Sequence, residues 1–413
     1  MRKKIILFFI LFFILFFLAF SSSVLGASSD SIKINSRVGL LIEESTGKIL
    51  YEKNSNEKMY PASTTKIMTA LLALEKGNLS DTVTVSKEAV SSLEGGYVTS
   101  YIAVGEELTV EQLLNVLLIP SGNVAGNVLA EYISGSVDNF VGLMNSRAQE
   151  LGCNNTHFTN SYGLHDDNHY STAYDLYLIA REAMKHQEFR EIVSKSSYSL
   201  APTNKHLKDD RTLPSTNDLL KPTSRSYYEH AIGIKTGYTS KAQECLVSAA
   251  TKDNITLYAV ILGSERNSSG TSSRYTDITK LFNFGFNNYL FRTIKSKGTV
   301  IDTVTVNGAT SDTKNLELAL DTTITAFIHS DDTYTSFTPN IVVNELSAPI
   351  AKDTVVGTIS YEINGSTYTS NIVATTDVEK SYMFILVDIG IIIAIMILLK
   401  CILRKRKKKN RRR

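Results

Sequence analysis

Two apolar ends bound what this chain can fold into. Ile5 to Phe20 is an uninterrupted apolar run behind the basic Arg2-Lys3-Lys4, and Val24-Leu25-Gly26-Ala27 sets small residues after it. That arrangement predicts an export signal at residues 1–26, removed from the mature chain. At the other end Met383 to Leu399 holds one charge, Asp388, followed by Lys400 and a tail, 404–413, in which nine residues of ten are basic. An apolar stretch of roughly 20 residues matches the bilayer core, and a basic tail stays on the cytoplasmic side. The sequence therefore predicts a transmembrane helix at 382–403 and a cytoplasmic tail at 404–413. Everything between the ends is expected outside the cell membrane, in a single-pass protein long enough for two domains.

The formal net charge of +2 hides an asymmetry. With the two basic ends and the anchor set aside, 40 acidic residues face 30 basic ones, which argues against a nucleic acid partner. The tail serves topology and anionic lipid. Cys401 lies at the membrane, which leaves Cys153 and Cys245 as the one pair that export would allow to bridge. Their spacing decides nothing. No Cys/His cluster has metal spacing, and His165 and His169 around Asp166-Asp167 are a weak zinc signal. No cofactor is expected.

Periodicity divides the middle of the chain. Val38 to Lys53 reads as a hairpin through Ser45-Thr46-Gly47. Ala62 to Leu74 has helical period. Thr109 and Gln112 make a capping box for a helix from Val110 to Ile119, ended by Pro120. Further helices are expected from Val124 to Ile133, from a Ser136 cap to Leu151, from a Ser171 cap to about His186, and from Ile278 to about Tyr289. Leu246 to Thr251 and Ile255 to Leu262 are apolar strands joined by Lys252-Asp253-Asn254. Strands, then helices, then strands predict an α+β catalytic domain over 32–290, with one antiparallel sheet and an inserted helical region. From about Thr293 the texture turns to short, Thr-rich β-type runs, which predict a separate all-β, sandwich-like domain over 293–376.

Ser-x-x-Lys occurs four times, at Ser45, Ser55, Ser63 and Ser311, so the pattern alone means little. Only Ser63 opens an apolar helix, after Pro61. There Lys66 lies one turn away on the same face, and the helix start offers free backbone N–H groups to an oxyanion. Lys66 can serve Ser63 as a general base if it is neutral, which demands burial and a second cation nearby. Lys235 in Lys235-Thr236-Gly237, after apolar Ala231 to Ile234, is the candidate for that cation. Lys235 could also grip a substrate carboxylate, with Thr236 donating to it and Gly237 allowing close approach to the strand. Ser121-Gly122-Asn123, just past Pro120, supplies a hydroxyl that can relay a proton and an amide that can hold a peptide carbonyl. A second Ser-x-Asn, Ser215-Thr216-Asn217, reads as an ordinary turn.

These three elements in this order resemble the low-molecular-mass penicillin-binding proteins, serine-type D-Ala-D-Ala carboxypeptidases of peptidase family S11. The likeness runs from about Ile34 to Thr376 and includes Tyr60 to Leu71, Asn155 to Asn160, Gly163-Leu164, His169 to Leu176, Gly233 to Thr239 and Ala348-Pro349-Ile350. The resemblance implies a β-lactamase/transpeptidase-like catalytic fold. It makes Ser63 the acylated nucleophile, Lys66 its base, and Ser121 and Asn123 helpers in proton transfer and positioning. Lys235, Thr236, Gly237 and Tyr238 bind substrate, and the oxyanion sits between the Ser63 N–H and that of Tyr238 or Thr239. The expected substrate is the peptidoglycan pentapeptide, with β-lactam antibiotics acylating the same serine. The chain departs from the family at Val124, where Asp is common, and in its spanning anchor.

Other readings remain open on the residues. A class A β-lactamase needs an acid to activate a deacylating water, and Glu106, Glu107 and Glu131 are the candidates. A catalytically silent scaffold and a transpeptidase would share every motif.

Overall fold

In the computed structural model the six residues of strand β1 (Val38–Glu43) are all buried, and β2 (Ile49–Lys53) folds back on it antiparallel, as the alternation predicts. The structure describes residues 32–93, 101–208, 210–266, 272–332 and 337–410, so the export signal expected at 1–26 lies outside the described residues. Contacts divide the chain into two units, Met1–Gly285 and Phe286–Arg413.

In the first unit two short antiparallel pairs, β3 (Thr82–Thr84) with β4 (Glu107–Thr109) and β5 (Ser197–Leu200) with β6 (Arg211–Pro214), lie among the helices. The strands β7 (Ala231–Thr239), β8 (Gln243–Lys252) and β9 (Ile255–Ser264) complete an antiparallel sheet of order β2-β1-β9-β8-β7. Asp253 and Asn254 turn β8 into β9 with φ of 51° and 62°, the left-handed pair that a two-residue hairpin needs to match strand twist. Apart from the helix Ser273–Asn288, which follows β9, the helices of this unit fall between β2 and β7 in sequence, so the chain leaves the sheet, builds a helical layer and returns to its far edge.

The helix Lys66–Lys76 is the axle of that layer. Its residues from Lys66 to Ala73 are all buried, as expected of a helix that is apolar on nearly every face. Helix Val110–Leu118 starts on a complete capping box, with the Gln112 N–H donating to Thr109 Oγ1 at 3.1 Å and the Thr109 N–H to Gln112 Oε1 at 2.8 Å. Helix Val137–Glu150 is capped by Ser136 as read. Two expectations are corrected. The cap of helix Ala173–Ala183 is Thr172, which accepts from the Asp175 N–H, because the Ser171 hydroxyl is engaged by Thr156 at 2.8 Å. That helix also stops before His186, and a second one follows at Gln187–Val193. Cys153 and Cys245 are both buried as free thiols.

The second unit carries β10 (Tyr289–Lys295), β11 (Val300–Thr305), β12 (Asn315–Leu320), β13 (Ile324–His329), β14 (Asn340–Val343), β15 (Val355–Ile363) and β16 (Ser366–Ala374). Five of them form a sheet of order β11-β12-β16-β15-β14, and β10 pairs with β13. Leu316, Leu318, Leu320, Ile359 and Ile372 belong to its own core. Strand β10 starts at Tyr289, a few residues before Thr293, where the sequence reading begins the β domain. The chain ends in the helix Met383–Asn410. Among the described residues, no helix is long and apolar enough to cross a membrane. The apolar run of that helix whose side chains are described, 389–399, stops at Lys400 and falls short of roughly 20 residues. Phe384, Ile385, Leu386 and Asp388 have side chains outside the described residues.

Candidate active site

The turn that presents Ser63 is a 3-10 turn, Ala62–Thr65, and the α-helix begins only at Lys66. Ala62 has a φ of 48°, so the chain enters the turn sharply. Three residues on, Lys66 Nζ is 3.0 Å from Ser63 Oγ, 2.7 Å from Asn123 Oδ1 and 2.7 Å from the Tyr162 carbonyl. Lys66 has no exposed surface. Burial, and after it the charge of Lys235, push its ammonium well below the ordinary lysine range. The sequence reading expects both causes. Desolvation is the larger cause.

That shift makes the geometry informative. A neutral amine has two N–H donors and one lone pair. The Asn123 and Tyr162 oxygens take the two donors, because neither can donate back. In that neutral form the lone pair is left for Ser63, whose proton Nζ can accept across the 3.0 Å contact. Asn123 opens the helix Asn123–Ser134, two residues after Ser121, which holds a φ of 67° and lines the cleft. Val124 is buried in the core, so the departure noted at that position leaves the site untouched.

Strand β7 forms the facing wall. A Cβ on Gly237 would stand 3.0 Å from the Pro61 carbonyl and 3.1 Å from the Ser63 nitrogen. The glycine is what lets the strand run beside the Ser63 turn. Gly163 closes in from a third side. Its φ is 91°, and a Cβ there would lie 1.9 Å from the Ala62 carbonyl oxygen. Lys235 is 1% exposed. Burial and the Arg274 guanidinium bring its ammonium down to about 7. Tyr238 is 59% exposed at the cleft mouth.

The cleft between these walls has a volume of about 400 Å³, and Ser63, Ser121, Asn123, Thr236, Gly237 and Tyr238 all line it. Lys66 and Lys235 lie just behind its surface. Thr216, from the second Ser-x-Asn, and Arg274, which carries no local sequence signal, are also among the residues that line it. Arg274 donates to the Gly237 carbonyl at 3.2 Å. Thr216 Oγ1 is 2.6 Å from Thr236 Oγ1, so the stretch read as an ordinary turn reaches the site.

Among the described residues, no carboxylate lines this cleft. Glu106 is buried and held by Arg211, by Thr203 Oγ1 at 2.7 Å and by the Ala103 N–H at 2.8 Å. Burial alone would raise its carboxyl, but those bonds outweigh it and hold it low. Glu131 lines a different cavity, and Glu107 is exposed. His169 is buried under the Ser63 turn. The Thr159 N–H donates to its Nδ1 at 3.1 Å, which leaves Nε2–H to donate to Thr65 Oγ1 at 2.8 Å. Burial brings its pKa down to about 3, so it braces the turn as a neutral ring. Among the described residues, no cluster could hold a metal ion.

A model of the D-alanyl-D-alanine carboxypeptidase family, peptidase S11, matches residues 24–266. One of the C-terminal domain of penicillin-binding protein 5 matches residues 289–380. The D-alanyl-D-alanine carboxypeptidase DacF of Bacillus subtilis (strain 168) is 34% identical over 367 residues, 87% of this chain and 90% of that protein. Among solved structures, penicillin binding protein 5 from Haemophilus influenzae superposes with a TM-score of 0.64 at 28% identity, over 85% of this chain and 99% of that one. The Streptomyces K15 DD-transpeptidase gives 0.57 at 35% identity, over 62% of this chain and 99% of that one.

Proposed function

This chain belongs to the D-alanyl-D-alanine carboxypeptidase family, and on that premise we propose that Ser63 is its acylated nucleophile and Lys66 the base that activates it. The enzyme is a serine-type carboxypeptidase that removes the terminal D-alanine from peptidoglycan pentapeptide stems and is acylated by penicillin. The reading rests on one observation: a fully buried Lys66 whose Nζ lies 3.0 Å from Ser63 Oγ and 2.7 Å from the Asn123 and Tyr162 oxygens, which can only accept.

In this scheme the terminal carboxylate enters between Thr236, Lys235 and Arg274, and Asn123 helps hold the peptide. Ser63 Oγ attacks the carbonyl carbon of the penultimate D-alanine as its proton passes to Lys66 Nζ. The oxyanion is met by the Ser63 N–H and by the backbone just past Gly237. The C–N bond breaks, and the leaving amine takes its proton from Lys66 through the Ser121 hydroxyl. Water then attacks the ester, again giving its proton to Lys66, and the acid departs with Ser63 restored. Among the described residues no carboxylate lines the cleft as a second activator of water beside Lys66, and the bulkier penicillin ester at Ser63 is expected to be long-lived. Purified protein is expected to release D-alanine from a muramyl pentapeptide and to turn over benzylpenicillin slowly. Fast penicillin turnover would make it a lactamase, and no D-alanine release would make it a scaffold.

We further propose that the C-terminal helix anchors the enzyme in the cell membrane, with the catalytic unit outside and the basic tail in the cytoplasm. The support is the sequence of Met383 to Leu399 with its single charge, and the exposure of Ile391, Ile392, Ile395 and Leu398 along that helix. Deleting residues 383–413 is expected to move the protein from the membrane fraction to the soluble one. Continued sedimentation with membranes would refute the anchor.

A further inference from the structure

Thr216 has no place in the scheme above, yet its hydroxyl sits 2.6 Å from the hydroxyl of Thr236. Its backbone is fixed on both sides: the Thr216 N–H donates to the Ile119 carbonyl at 3.1 Å, and its carbonyl accepts from Tyr275 Oη at 3.0 Å. Tyr275 Oη also receives the Asp218 N–H at 3.1 Å and lies 3.3 Å from an Arg274 amino group. The residue is therefore held at one point between the loop that carries Ser121 and the start of the helix that carries Arg274. Among the described residues, Thr236 is the side-chain partner of its hydroxyl.

A hydroxyl has one proton. If Thr236 gives its proton to Thr216, it shows only lone pairs to an arriving carboxylate and repels it. If Thr216 gives its proton to Thr236, the Thr236 O–H is released towards the cleft and is polarised by the bond it accepts. We infer that Thr216 is a positioning residue that sets the direction of the Thr236 hydroxyl, and so the affinity for the substrate's terminal carboxylate. The inference rests on the reading of Thr236 as a carboxylate donor.

The test uses the full-length enzyme with a D-Ala-D-Ala pentapeptide and the same peptide ending in a carboxamide. Thr216→Val keeps the shape and both backbone bonds and removes only the hydroxyl. It is expected to raise KM for the carboxylate peptide about three- to tenfold, the worth of one hydrogen bond, with kcat nearly unchanged. KM for the amide should hardly move. Thr216→Ser should restore the wild-type values, and adding Thr216→Val to Thr236→Val should cost nothing more. Should Thr216→Val fold poorly, Thr216→Ala gives the same comparison. A raised KM for Thr236→Val beside an unchanged KM for Thr216→Val overturns the inference alone. Unchanged KM in both overturns the carboxylate reading with it. Equal losses on acid and amide would mark Thr216 as merely structural, which also overturns it.

Discussion

Lys66→Ala is expected to slow acylation of Ser63 by about 10²- to 10⁴-fold, the usual worth of a positioned general base. The effect should fall on the chemical step, because Lys66 lies behind the cleft surface and touches substrate only through the proton it moves. Its pH dependence gives a second readout. An ordinary lysine titrates near ~10.4, and this one is lowered by burial and then by Lys235. Below its folded pKa it is protonated and cannot accept the serine proton, so wild-type acylation should fall as pH drops through that value. The residual rate of Lys66→Ala should lack this limb. Lys66→Arg should not rescue, because arginine stays charged. A Lys66→Ala enzyme acylated within about tenfold of the wild-type rate would remove the lysine from the mechanism. The measurement is the rate of adduct formation with benzylpenicillin across pH.

Gly163→Ala is expected to cost as much without touching any group that reacts. The new Cβ would lie 1.9 Å from the Ala62 carbonyl oxygen and 2.9 Å from the Ser63 nitrogen. Both are backbone atoms, so no side chain can swing away, and the φ of 91° is itself strained for alanine. Ala62 and Ser63 must shift, and a displacement of about 1 Å at a reacting atom can cost 10²-fold in rate. Stability should also fall, by about 1–3 kcal/mol as for other overpacked sites. Gly142→Ala is the control, since nothing lies within 4 Å of its Cβ position. Acylation of Gly163→Ala at the wild-type rate would show that the Ser63 turn does not depend on this close approach.

Much of this was legible because its signals are local. The Thr109–Gln112 capping box is complete within four residues, and the Asp253-Asn254 turn forces its own hairpin. Ser63 could be told from three other Ser-x-x-Lys runs by Pro61 and the apolar helix behind it. What escaped depends on distant chain. Arg274 enters the cleft because the helix after β9 starts beside β7, and nothing around it in sequence announces that. Thr216 looked like a turn because it is one, and only the neighbouring Thr236 gives its hydroxyl a role. The Ser171 cap failed for the same reason, since Thr156 competes for that hydroxyl. The C-terminal segment reads as an anchor in sequence, while the described part of its helix falls short of a span.

All of this depends on Ser63 being the residue that is acylated. Intact-mass spectrometry of the protein after benzylpenicillin, followed by peptide mapping, tests that directly. The expected result is one adduct of the mass of the whole drug, on the peptide that contains Ser63, absent from Ser63→Ala and persisting for long after free drug is removed. An adduct on another serine, or penicillin consumed with no adduct on Ser63, would contradict it.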